Sequence, residues 1–155
     1  MSQEIALTLI SVAISVSLGA IGSSLGVGAV AKASAGLLSK EPQKFPQSLI
    51  LSALPSTQAI YGLLFGFVIL LQIGLLGGQV ATVSMQSALA YIFASMPVGI
   101  AGLFSGAMQG QVAAAGVKIL AKNPDKMSQG VVLAALVESF AIFGLVISLL
   151  IASAI

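Results

Sequence analysis

Glu138 is a lone carboxylate in the middle of the apolar segment 130–155, with no cationic side chain beside it in the chain. A carboxylate near a bilayer centre costs at least ~2.5–3.5 kcal/mol on insertion scales, so it must be protonated, paired or bound to a cation. The usual partners are scarce. There is neither His nor Arg, and the six lysines (Lys32, Lys40, Lys44, Lys118, Lys122, Lys126) lie in or beside two short polar loops. Glu138 therefore reads as a site for a mobile H+ or metal cation.

Other polar side chains fall at the same depth. At a helical rise of ~1.5 Å per residue, Glu138 lies ~18 Å from Lys126, Gln109 ~20 Å from Lys122, and Thr57 and Gln58 ~20 Å from Lys44. A carboxylate, two amide oxygens and a hydroxyl are hard donors suited to a small hard cation. Pro55 has no N–H and crowds the carbonyl four residues earlier, disturbing the ladder near Leu51 and Leu54. Carbonyls freed at a broken membrane helix are frequent Na+ ligands. Tyr61, one turn from Thr57 and Gln58, is placed to hydrogen-bond the carboxylate. Two plainer readings stand beside this one: the amides and Thr57 as interhelical glue, and Glu138 paired with Lys32, which more easily snorkels to the near interface.

Such residues need helices to carry them across a membrane. The chain is 58% hydrophobic and 6% charged, against roughly a quarter charged in soluble domains. Charge-free runs cover 5–31 and 45–117; since ~20 apolar residues span a bilayer, the second run holds two helices. Gly77, Gly78 and Gln79 supply the turn between them. The expected fold is all-α, with four transmembrane helices over 4–38, 45–76, 81–121 and 127–154. The first lacks the positive start of a signal peptide and is expected to stay in the mature protein.

The loops 39–47 and 122–129 bear lysine, whereas the turn near Gly77 and both termini do not. The positive-inside rule puts these loops in the cytoplasm and both termini outside. The absence of cysteine removes disulfides and thiolate metal sites. Nothing points to nucleic acid, and no P-loop or nucleophile triad exists, so the chain itself is not expected to be catalytic.

The sequence repeats itself at a displacement of 82 residues, which brings Lys40-Glu41-Pro42-Gln43-Lys44 onto Lys122-Asn123-Pro124-Asp125-Lys126. Ser23, Gly28, Ala33 and Leu38 meet Ser105, Gly110, Ala115 and Leu120; Leu51, Ala59 and Gly62 meet Leu133, Ala141 and Gly144. The chain thus divides into a first helical hairpin, 1–79, and a second, 80–155, in the same orientation. Glu138 falls opposite Ser56, so only the second hairpin carries the carboxylate. Small residues four apart (Gly22 and Gly26, Ser24 and Gly28, then Gly102, Gly106 and Gly110) let segments one and three approach closely as an inner layer, with two and four outside.

These residues resemble the duplicated proteolipid, or rotor-ring, subunit of V-type ATPases, most closely its bacterial Na+-translocating form. The resemblance is carried by Leu54-Pro55-Ser56-Thr57-Gln58-Ala59-Ile60-Tyr61, the run from Gly102 to Gly110, Ala113-Ala114-Ala115-Gly116 and Val137-Glu138-Ser139-Phe140-Ala141, and spans nearly the whole chain. It implies Glu138 as the essential ion carboxylate, Thr57, Gln58, Gln109 and the Leu54 carbonyl as Na+ ligands, and Tyr61 as a supporting donor. It also implies a closed homo-oligomeric ring in lipid, a stationary membrane subunit with half-channels, central-stalk subunits, ATP hydrolysis elsewhere in the complex, and a bacterial plasma membrane. Ser56, Ala59, Gln111 and Ser139-Phe140 depart from the family's usual residues, and none removes an implied ligand. The rival readings are the same ring carrying H+, a small four-helix cation or drug antiporter, and a purely structural ring.

Overall fold

The computed structural model describes residues 2–78 and 80–155. It contains five α-helices: α1 (Gln3–Leu38), α2 (Phe45–Ala53), α3 (Thr57–Gln72), α4 (Met85–Lys122) and α5 (Met127–Ser153). α2 and α3 are two halves of one rod joined by a 3-10 turn over Leu54–Ser56, so four rods are long and apolar enough to cross a membrane. No strand occurs among the described residues.

The connection between α3 and α4 is longer than the expected turn. α3 stops at Gln72 because Gly74 takes a left-handed φ of 71°, which glycine adopts without a Cβ penalty. The Gly74 and Leu75 amides then fold back onto the Leu71 and Leu70 carbonyls at 3.0 Å, a glycine-terminated helix end. α4 starts only at Met85, where the Ser84 hydroxyl accepts from the Ser87 amide at 3.0 Å. The expected helical residues 73–76 and 81–84 are therefore connection. Gly78 supplies a second left-handed turn (φ 78°), and Gln79 lies outside the described residues.

α1 and α4 run side by side in the same direction and meet backbone to backbone. A Cβ on Gly26 would run into the Gly106 carbonyl, and one on Gly110 into Gly26. The two outer rods are held alike: Gly62 of α3 rests on the Ser15 carbonyl of α1, and Gly144 of α5 rests on the Pro97 carbonyl of α4. Those two pairs are related by the repeat. The Ser24 and Gly28 row is different, since Ser24 is exposed and Gly28 faces open space.

Two apolar clusters form the core. One, near the lysine-bearing loops, is built on Val30, Leu51, Val117, Leu120 and Ala134. The other, toward the opposite end, is built on Phe65, Ile69, Ile73, Tyr91 and Val98. On each rod the polar residues of the shared level fall between the two clusters. Lys44 ties the loop end together: its buried ammonium donates to the Leu120 and Ala121 carbonyls at 3.2 and 3.4 Å and pairs with Glu41 at 2.7 Å. A cation there satisfies carbonyls that the end of α4 leaves without partners.

Candidate functional site

The site forms where the second rod breaks. Pro55, buried at the break, keeps the chain in 3-10 geometry over Leu54–Ser56. The Leu54 carbonyl accepts from the Thr57 amide and also from the Thr57 hydroxyl at 3.1 Å. It is thus an engaged acceptor rather than a free one, with the Thr57 oxygen bound to it. Restarting a helix leaves its first amides without partners, and Ser56 offers no side-chain cap. The Ser23 hydroxyl of α1 takes that place, accepting from the Ala59 amide at 2.9 Å.

From this fixed start, Gln58 and Tyr61 project one turn apart toward α4 and α5. The Gln58 Nε2 donates to Gln109 Oε1 at 2.7 Å, and Gln109 Nε2 lies 3.5 Å from Glu138 Oε2. Tyr61 Oη donates to Glu138 Oε1 at 2.5 Å. Three rods thus contribute to one chain of polar groups, at the shared depth that helical rise predicts. Gln58 and Gln109 are fully buried, and Glu138 and Tyr61 are half-buried.

Two features of this cluster bear on what it holds. Gln58 Oε1 is buried with no hydrogen-bond partner, which costs ~1–3 kcal/mol if left so. Among the described residues no lysine lies within ion-pair distance of Glu138, and Lys32 is exposed. A Lys32–Glu138 pair is therefore absent. A carboxylate with no cationic partner and an amide oxygen with no donor, in one cluster, are hard oxygens of the kind a small cation can bind.

Nothing in the residue pattern marks Ser23, which acts through Ala59, or Ser148, whose hydroxyl accepts from the Val98 amide beside Pro97 at 2.9 Å. Ser23 serves the break at Pro55 and Ser148 an amide beside the proline inside the continuous α4, each from a neighbouring rod. Pro55 and Pro97 signal that amides or carbonyls need partners, but not which rod supplies them.

The chain matches the ATP synthase C-subunit family twice, over residues 10–69 and again over 92–151. It belongs to that family. Within it, this chain is a duplicated member, as the repeat requires. It is 45% identical over 130 residues to the V-type sodium ATPase subunit K of Enterococcus hirae, covering 84% of this chain and 80% of that protein. It is 41% identical over 129 residues to the A-type ATP synthase subunit K of Methanocaldococcus jannaschii, covering 83% of this chain and 56% of that longer one. Membership together with four apolar rods makes this an integral membrane protein.

Proposed function

We propose that the chain is the membrane rotor-ring subunit of an ATP-driven rotary pump and carries Na+ on Glu138. The observation that carries the choice of ion is the partnerless Gln58 oxygen in a cluster with an unpaired carboxylate. A proton site needs only the carboxylate, whereas Na+ needs several oxygens. The sodium named for the E. hirae relative agrees. The ligands are Glu138, Gln58, Gln109 and Thr57, with the Leu54 carbonyl joining them when the Thr57 hydroxyl turns away from it, and Tyr61 orients the carboxylate.

The ring turns with its sites facing lipid, where an ionised carboxylate is costly. Na+ neutralises it, so only a loaded site enters the lipid. At a stationary partner, an aqueous half-channel and a basic group exchange the ion. One carboxylate per four rods moves fewer ions per turn than an unduplicated ring of equal hairpin number, which favours export against a steep gradient. ATP is hydrolysed by other subunits, and a central stalk couples them to the ring.

The hairpins 1–79 and 80–155 are the units of duplication. Their lysine-bearing loops face the cytoplasm and both termini face outward, across a bacterial plasma membrane. The test is Glu138→Gln in the reconstituted complex. The ring assembles and ATP-driven Na+ uptake falls to background; uptake at the wild-type rate would end this reading.

A further inference from the structure

The two halves of the chain are related by a turn without a rise. Gly22 packs on Gly102 and is met in turn by Gly106, while Gly26 packs on Gly106 and is met by Gly110. The midpoints of these contacts on α4 are Phe104 and Met108, the repeat partners of Gly22 and Gly26. Each α1 residue therefore lies level with its own counterpart. A head-to-tail contact with no rise closes on itself when repeated instead of growing into a filament.

The first hairpin's face is covered by the second. The corresponding face of the second hairpin is uncovered: an apolar groove of about 800 Å³ lies between α4 and α5, lined by Phe104, Met108, Val137, Phe140 and Phe143 among others. Repeating the internal operation brings α1 of another copy into it. There Phe104 and Met108, both exposed here, meet Ala20, Ser24 and Gly28 of the neighbouring copy. Gly28 has open space for them in the isolated chain. Inside one chain the contact is small on small; between copies it is large on small.

The same operation treats the polar groups consistently. Phe140 and Phe143, edge to face with centroids 6.4 Å apart, stand where Gln58 and Tyr61 stand in the first half, so the seam between copies holds no ion site. Lys126 is the counterpart of Lys44, yet it is exposed and its ammonium forms no hydrogen bond or ion pair among the described residues. Carried across the seam, it reaches the Leu38 and Ser39 carbonyls of the neighbouring copy. The last turn of α1 has no basic residue of its own.

Resting on the rotor-ring reading, we propose that the groove between α4 and α5 is the socket for the first hairpin of the next copy in this register. Phe104 and Met108 seat on Ala20, Ser24 and Gly28, and Lys126 caps α1. The ring then alternates close contacts within a chain and wider ones between chains.

The chain has no cysteine, so disulfide trapping in the intact complex reads the register directly. Ser24→Cys with Met108→Cys, oxidised in the membrane, gives a ladder of covalent multimers on a denaturing gel. Ala20→Cys with Phe104→Cys reads the same register one turn away, should the first pair not assemble. Ser24→Cys with Met96→Cys, displaced by ~15 Å along the helix, gives no ladder. Native mass spectrometry of the same samples separates the two levels. A closed oligomer with a ladder only from the displaced pair, or from none, overturns the register alone. A monomer overturns the ring reading with it.

Discussion

Tyr61 Oη lies 2.5 Å from Glu138 Oε1, a hydrogen bond between the two hairpins across 77 positions of sequence. It holds the carboxylate on the side of Gln109 and Gln58, where the other oxygens are. The phenol is thus a positioning group for the carboxylate, and on the proposed reading it orders Glu138 without needing to touch the ion.

Replacing Tyr61 with Phe removes that bond and keeps the ring packed. A hydrogen bond to a charged group contributes ~1.5–3 kcal/mol, and about 1.4 kcal/mol is a factor of ten. The Na+ concentration for half-maximal ATP hydrolysis by the reconstituted complex rises roughly tenfold, with the maximal rate largely kept. An unchanged Na+ dependence would show that Tyr61 does not orient the carboxylate.

Ser23 and Ser105 are repeat partners with opposite expected sensitivities. Ser23 accepts from Ala59 at the break, whereas the Ser105 hydroxyl is buried with no partner because α5 has no break opposite it. Ser23→Ala leaves an orphaned amide and costs ~1–3 kcal/mol. Ser105→Ala removes an unsatisfied hydroxyl and is neutral or stabilising. Thermal unfolding of the purified ring compares them, and equal losses from both would contradict the capping role.

The α1–α4 contact leaves no room for a Cβ at Gly22, Gly26, Gly106 or Gly110. Gly106→Val pushes Cβ into the Gly22 and Ser23 backbone, while Gly36 has open space around it. Overpacking costs ~1–3 kcal/mol where side chains can yield, and backbone yields less. Gly106→Val prevents recovery of assembled ring, and Gly36→Ala leaves the yield unchanged, both read by size-exclusion chromatography of detergent extracts.

The four rods, the repeat and the polar level are legible in the sequence, because apolar runs and helical rise fix depth without knowledge of packing. Gln58, Gln109, Tyr61 and Glu138 accordingly meet as their spacing requires. Depth does not fix azimuth. Lys44 therefore reads as a loop residue and is found buried on the end of α4, and Ser23 shows no sign of its role at the break. The α3–α4 connection differs from its expected length for a local reason. Residues 73–76 and 81–84 are apolar enough to continue a helix, and Gly74, three residues before the more obvious glycine pair, ends it first.

The most direct test of Na+ carriage on Glu138 is carbodiimide labelling of the purified ring across a pH series, with mass mapping, in Na+ and in K+. Labelling at Glu138 that Na+ suppresses at millimolar concentration, and K+ does not, is the predicted result. Labelling of Glu138 that ignores Na+ and follows pH alone would make this a proton carrier and leave the Gln58 oxygen without its cation.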